Sequence, residues 1–310
     1  MHVIAAFPNR GLPGLVKGHA AEYFPGIDFD WRPADGPGAD VMPKMFGDLA
    51  YDVCDVSPSS LLIAAERGIP VAGLPVITST DVPLGELIVN RSAIATPADL
   101  AGKRIGVRTW TNPVKPWLAG ILTHDFGVDL SRVQWVATVR DPLPGVALPP
   151  NASRVEGRTL LELLESGEID AAISPGPVKL DGFGPLFQAA SGAGQAWLAR
   201  SGTLPVMHLP TVRRSLVTDQ PGAAEALVAG FAAGKTRYLA GLPEIARNGT
   251  DDPMARRDAA LQTEYGVDPI PLGLDVFRTS FERLGTYMVE QGYLQSQPVI
   301  DELFVADPPR

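Results

Sequence analysis

His208 stands in Gly202-Thr-Leu-Pro-Val-Met-His-Leu-Pro-Thr-Val-Arg-Arg214, an apolar, strand-like run that closes on two arginines. Imidazole exchanges a proton near neutral pH, so a histidine at such a place suits general acid or base work. A lone histidine in an apolar run is more often a satisfied core residue, and its neighbours must decide. A second group is Asp52-Val-Cys-Asp-Val-Ser-Pro-Ser-Ser60, where Asp55 precedes three hydroxyls, Ser57, Ser59 and Ser60. A third is Arg108-Thr-Trp-Thr-Asn112, which offers Thr109, Trp110, Thr111 and Asn112 ahead of Pro113. Both groups read as turns that open a helix. A helix start exposes unpaired N–H groups and a partial positive charge, so hydroxyl-rich caps there suit a carboxylate ligand. Capping by Ser57, and by Thr111 or Asn112, is the minimal reading and is compatible with ligand binding. Trp110, on the turn, can stack on an aromatic ring, whereas Trp117, on a helix face, reads as core.

These residues need elements to position them. Short apolar runs alternate with amphipathic stretches, which predicts an α/β architecture with mainly parallel sheets. Val3–Phe7 reads as the first strand. Tyr51–Val56 reads as another, followed by a helix over Leu61–Arg67 that Gly68 closes. Lys103–Val107 repeats the pattern and leads into a helix with Leu118, Ile121 and Leu122 on its apolar face. Thr159–Ser166 reads as an amphipathic helix ended by Gly167, with Ile169–Ile173 returning as a strand; Glu162, Glu165 and Asp170 read as solvated or structural. The proline-rich segment Asp141–Asn151 reads as a surface loop, and helices are expected around Ala223–Leu239 and Val276–Glu290.

The chain has 310 residues, which exceeds one typical core and predicts two domains. A net charge of −9 with scattered basic residues argues against nucleic-acid binding. No apolar run has the length of a bilayer span, so no membrane partner is expected. The single cysteine, Cys54, rules out a disulfide framework and a cysteine-based zinc site, and its apolar setting reads as core. His19, His124 and His208 lack ligand spacing, so no metal is expected. No secretory signal pattern precedes the first strand, and a cytoplasmic location is expected.

Leu100-Ala-Gly-Lys-Arg-Ile-Gly-Val107 and Leu163-Leu-Glu-Ser-Gly-Glu-Ile-Asp-Ala171 resemble the second lobe of a type II periplasmic-binding-protein fold. Within that class, Asp52–Ser60, Gly202 with Leu204–His208, Arg213-Arg214, and Gly273-Leu274 with Arg278 resemble 4,5-dihydroxyphthalate decarboxylase and its relatives, of the NMT1/THI5-like superfamily. The resemblance implies a two-lobed α/β protein. Its discontinuous lobe I would be residues 1–88 plus 206–310 and its lobe II residues 89–205, with the ligand cleft between them. It also implies a decarboxylase that removes a carboxyl group from an aromatic acid with no cofactor. Such chemistry needs a cation for a spectator carboxylate, a proton donor for the carbon that loses CO2, and poor solvation of the departing group. Arg10 matches an arginine of the family and suits bidentate carboxylate capture, with His208 as the proton donor. Lys44 falls where the family has another basic residue. Asp55, Ser57, Ser59, Ser60, Thr109, Trp110, Thr111 and Asn112 would line the substrate site.

The sequence also departs from the family. Pro83-Leu84-Gly85 stands where the decarboxylases carry Arg-His-Ser, Thr109-Trp110-Thr111 replaces Glu-Tyr-Gln, and Ala119 replaces an arginine. Fewer cations predict a less anionic or differently oriented small-molecule carboxylate substrate. The alternative is a non-catalytic solute-binding or sensor protein for a small carboxylate or aromatic ligand. An exported transporter component would need a signal, a pyrimidine-precursor synthase of this fold a cysteine-rich signature, and a chorismate-dehydratase-like enzyme an N-terminal pattern not found here. A homo-oligomer is compatible with everything in the sequence.

Overall fold

The computed structural model describes residues 1–34, 41–143, 145–174, 178–188 and 192–305. In chain order the elements begin with β1 (His2–Ala6), α1 (Gly11–Gly18), α2 (Ala20–Tyr23), β2 (Asp28–Trp31), α3 (Val41–Asp48), β3 (Val53–Val56), α4 (Pro58–Glu66), β4 (Val71–Gly73) and β5 (Ser79–Thr80). Then come β6 (Leu87–Asn90), β7 (Arg104–Val107), α5 (Val114–Phe126), β8 (Gln134–Ala137), β9 (Ala152–Arg154), α6 (Leu160–Glu165), β10 (Ala171–Ile173), β11 (Phe183–Pro185) and α7 (Ala193–Ser201). The last group is β12 (Val206–Arg213), α8 (Arg214–Asp219), α9 (Ala223–Asn248), α10 (Pro253–Glu264), α11 (Leu274–Glu290) and α12 (Ile300–Leu303).

The chain forms two units: residues 1–81, 206–285 and 296–310 make unit 1, and residues 82–205 and 286–295 make unit 2. The chain passes into unit 2 at 81/82, where Pro83 and Leu84 are buried in the turn that leads into β6, and returns to unit 1 at 206. Residues 286–295 belong to unit 2: Tyr287 packs edge-on against Trp117, and Tyr293 stacks on Trp110.

In unit 1 the strand order is β2-β1-β3-β12-β4, with β5 paired to β12. The pairings of β1 with β2 and β3 are parallel, whereas β12 is antiparallel to β3, β4 and β5. Unit 2 has the order β11-β6-β10-β7-β8-β9, parallel from β10 through β9 and antiparallel where β6 meets β10 and β11. The α/β class holds, and the sheets are mixed where mainly parallel ones were expected. The antiparallel strands are those by which the chain enters or leaves a unit, which a local period cannot reveal.

Alternation along β1 puts Val3, Ala5 and Phe7 into the core of unit 1 with Leu12, Val16, Leu227 and Phe231. Helix α9 approaches so closely that a Cβ on Gly230 would come within 2.1 Å of the Phe24 ring. This helix runs to Asn248, through Pro243, beyond the stretch around Ala223–Leu239 that the sequence indicated. Leu242 is buried in the core and Ile245 packs against it, so the burial of one more turn outweighs the lost N–H bond. In unit 2 a smaller cluster of Leu163, Leu164, Ile169 and Ala172 holds α6 to its sheet. Thr159 and Glu162 form the capping box of α6, and Asp170 binds Arg104, as expected of structural carboxylates. Pro144, in the expected surface loop, lies outside the described residues. Among the described residues no helix is long and apolar enough to cross a membrane.

Candidate active site

Parallel strands β1 and β3 end at one edge of the unit 1 sheet, with Ala6 level with Cys54. Strand β12 runs back past them, Leu209 opposite Val56 and Pro210 opposite Asp55, so His208 lies just beyond the end of β3, beside Ser57. Ser79 of β5 lies opposite His208 on the other side. Open α/β sheets bind ligands beyond the carboxyl ends of their strands, and this edge gathers the titratable groups.

The His208 side chain is 33% exposed, while that of Asp55 is 5% exposed. His208 Nδ1 lies 2.9 Å from Asp55 Oδ2. The other carboxylate oxygen, Oδ1, accepts the Thr78 hydroxyl at 2.6 Å, and Thr78 N–H donates to the His208 carbonyl at 3.1 Å. An ionised carboxylate only accepts, so the ring proton sits on Nδ1 and Nε2 is the nitrogen left for chemistry.

At the start of α4, Ser57 caps the helix by accepting Ser60 N–H at 3.2 Å. Its Oγ also lies 2.8 Å from Ser60 Oγ and 3.2 Å from Ser59 Oγ, and Ser60 donates to the Met42 sulfur. All three serines are buried and their hydroxyls bind one another. The hydroxyl cluster foreseen in the sequence is therefore a closed cap, placed beside the histidine. Arg10 follows β1 at the same sheet edge, in the N-cap position of α1, with an exposed side chain. Lys44 is exposed on α3, two residues and so about 200° around the helix from Met42, which faces the serines. The structure brings Asp55, Ser57, Ser59, Ser60 and His208 together, sets Arg10 on their edge and turns Lys44 away.

Behind β5 lies a charged cluster that no motif announced. Arg257 of α10 donates to Ser79 Oγ and lies 3.6 Å from Asp81. Its neighbour Asp258 is fully buried and accepts the Tyr238 hydroxyl at 2.7 Å. Burial pushes the Asp258 carboxyl up to about 7, against the pull of Arg257 and Tyr238. Cys54 is buried, and burial, with Asp55 beside it, pushes its thiol well up, as befits a core residue.

The remaining predicted residues lie in unit 2, on the turn between β7 and α5. Thr111 N–H binds Asp141, Asn112 Oδ1 accepts Val114 N–H, and the half-buried Thr109 accepts Asn112 N–H through its carbonyl. Asn112, rather than Thr111, makes the capping contact. Trp110 is buried, stacked on Tyr293 at 5.5 Å and edge-on to Trp135 at 6.0 Å. Lys115 is the unforeseen member of this group. Its ammonium is buried, 3.7 Å from the centre of the Trp110 ring, 4.7 Å from Trp135 and 4.9 Å from Tyr293, and it donates to Gln291 at 3.1 Å. Burial lowers its pKa well below that of a free lysine, while three ring faces favour the charged form. The signal was present in the sequence, since Lys115 precedes Leu118 and Leu122 on the stripe that turned out to be buried. Trp110, Lys115 and Trp135 wall a cavity of about 340 Å3 in unit 2. Among the described residues no group of three or more His, Cys, Asp or Glu could hold a metal ion.

Residues 26–146 match the NMT1/THI5-like family. Among solved structures, the alkanesulfonate-binding protein SsuA from Xanthomonas axonopodis pv. citri, bound to MOPS, superposes with a TM-score of 0.59 at 14% identity, covering 98% of both chains. The desulfurization enzyme DszB, in complex with biphenyl-2-sulfinic acid, gives 0.59 at 18% identity, covering 98% of this chain and 96% of that one. These likenesses identify the α/β fold as that of the type II periplasmic-binding-protein class. Sequence similarity reaches further. The 4,5-dihydroxyphthalate decarboxylase of Pseudomonas putida is 32% identical over 144 residues, 43% of this chain and 55% of that protein. That of Comamonas testosteroni is 33% identical over 279 residues, 85% of this chain and 79% of that protein, and on that breadth the chain belongs to the 4,5-dihydroxyphthalate decarboxylase family.

Proposed function

We propose that this protein is a cofactor-independent carboxy-lyase that acts on a hydroxylated aromatic or related carboxylic acid, with a substrate different from that of its named relatives. The observation that carries the reading is the Asp55–His208 pair at the carboxyl edge of the unit 1 sheet, with the ring proton held on Nδ1 and the imidazole part-exposed. In its imidazolium form His208 donates the Nε2 proton to the ring carbon that bears the carboxylate. The bond to the carboxyl carbon then breaks, its electron pair restores the aromatic system and CO2 leaves. The neutral imidazole recovers a proton from water, so the net change is Ar–COO⁻ plus H⁺ to Ar–H plus CO2. Asp55 offsets the imidazolium charge before the transfer and fixes the ring's orientation. Arg10, exposed on the same edge, is the group assigned to a spectator carboxylate.

Substrate choice follows from what stands where the family has a basic pair. Pro83 and Leu84 are buried apolar residues, and Gly85 has no side chain. An acid with one carboxylate fewer, or with its second anionic group elsewhere on the ring, suits this arrangement. The same loss favours the second reading, a sensor or solute-binding protein that holds a small aromatic carboxylate without turning it over.

The test is incubation of the full chain with 4,5-dihydroxyphthalate and a panel of hydroxylated aromatic and heteroaromatic mono- and diacids, with products followed by mass spectrometry. Loss of CO2 from a panel member is expected. Tight calorimetric binding of a panel member without product would establish the second reading instead, and neither binding nor product would refute both.

A further inference from the structure

We propose that Thr78 is the positioning residue for His208, the group that fixes Asp55 in one plane and so presents Nε2 of the imidazole in one direction. The inference rests on the reading of His208 as a proton donor.

Three hydrogen bonds close a ring through three residues far apart in sequence. Thr78 Oγ1 donates to Asp55 Oδ1 at 2.6 Å, His208 Nδ1 donates to Asp55 Oδ2 at 2.9 Å, and Thr78 N–H donates to the His208 carbonyl at 3.1 Å. A carboxylate turns readily about its last torsion and can offer either oxygen to a partner. With both oxygens engaged at once, only one plane satisfies the two donors, and the imidazole plane follows it. The third bond grips the backbone of the same histidine, so Thr78 acts on its ring and on its chain together.

The choice of side chain agrees with this role. Thr78 has no exposed surface, so no water competes for Asp55 Oδ1 from that side. Branching at Cβ limits the hydroxyl to few directions, which a serine would not do as strictly. The next residue is braced as well: Ser79 accepts from Arg257, which also faces Asp81, and this anchors β5 to α10 within unit 1.

Thr78→Val removes the donor while keeping the shape, Thr78→Ala removes it without pressing a methyl on the carboxylate, and Thr78→Ser keeps it. The readout is the imidazole 15N NMR spectrum of the full chain, which has four histidines, with the His208 signals assigned by their loss in His208→Gln. The wild type and Thr78→Ser are expected to show His208 with its proton on Nδ1, and Thr78→Val and Thr78→Ala to show averaged tautomers. With 4,5-dihydroxyphthalate or a turned-over panel acid, either donor-less variant should lower kcat about tenfold and move KM less than about twofold. A folded Thr78→Val or Thr78→Ala that keeps the wild-type tautomer would overturn the proposal. The NMR result is independent of turnover: averaged tautomers in a protein that decarboxylates nothing would keep Thr78 as the positioning residue and remove the lyase reading alone.

Discussion

The turn between β3 and α4 in unit 1 and the turn between β7 and α5 in unit 2 start from one pattern. Each has a short strand, hydroxyl or amide side chains, a proline at the helix start and a titratable group close by. In the first, the titratable group is His208, part-exposed, with the Asp55 carboxylate on Nδ1. In the second it is Lys115, buried against Trp110, Trp135 and Tyr293, with Gln291 on its nitrogen. A proton donor must reach its acceptor and recover its proton from solvent, which the histidine can do. The lysine, walled in by rings, spends its binding capacity on the fold. Pattern alone does not separate a reactive group from a structural one. Exposure is what differs between these two: His208 is part-exposed and Lys115 is buried.

Removing His208, the proposed proton donor, has the largest expected effect. His208→Ala is expected to lower turnover at least about a hundredfold while the thermal midpoint moves little, because the ring is part-exposed and general acid catalysis is worth about that much or more. Steady-state kinetics beside a thermal melt checks both halves of that contrast. The opposite pattern is expected at Lys115. Lys115→Ala should cost about 3 kcal/mol by emptying a packed aromatic cage, whereas Lys115→Met, which keeps the stem and drops the charge, should lose less than about a third of that. Denaturant unfolding of the two variants separates the charge from the packing, and a larger loss for Met than for Ala would show that the ammonium itself holds the cage.

Asp258, buried behind β5, makes the stability of unit 1 depend on pH. Its carboxyl is held near 7 in the folded protein, against about 4 in an unfolded chain. Between those values the folded state binds the extra proton, so stability falls as pH rises from about 4 to about 7 and levels off above. Asp258→Asn should remove roughly 2–4 kcal/mol of that fall, read as a flatter dependence of the thermal midpoint on pH than the wild type's. The smallest effect is expected at the helix cap: Ser57→Ala should cost about 1 kcal/mol, since Ser57 satisfies Ser60 N–H and anchors the serine cluster.

The regular parts of this molecule were legible in its sequence because local rules govern them. Ser57 and Pro58 announced α4, the amphipathic run Thr159–Ser166 closed by Gly167 announced α6, and the apolar stripe of α5 was plain. His208 and Asp55 were both found as candidates, but nothing in the sequence joined them, because 153 positions separate them and the sheet closes that distance. Thr78 was invisible for the same reason and carries no motif of its own. Lys115 was on the buried stripe and was passed over, since a lysine reads as exposed until the rings above it are known. The extension of α9 through Pro243 shows tertiary burial overriding a local breaker. The serines were singled out in the sequence, yet their burial and mutual bonding depend on α3 lying over them, and a linear pattern cannot show that.

The most direct test of the central claim, that His208 delivers the proton that replaces the lost carboxyl group, is a single-turnover reaction in D2O. It would use the acid found to be turned over and compare the wild type with His208→Gln, with CO2 release and deuterium at the vacated ring carbon measured together. One deuterium at that carbon is expected for each CO2 released by the wild type, with near-complete loss of both in His208→Gln while the acid still binds. Unchanged CO2 release and deuterium uptake in His208→Gln would contradict that claim.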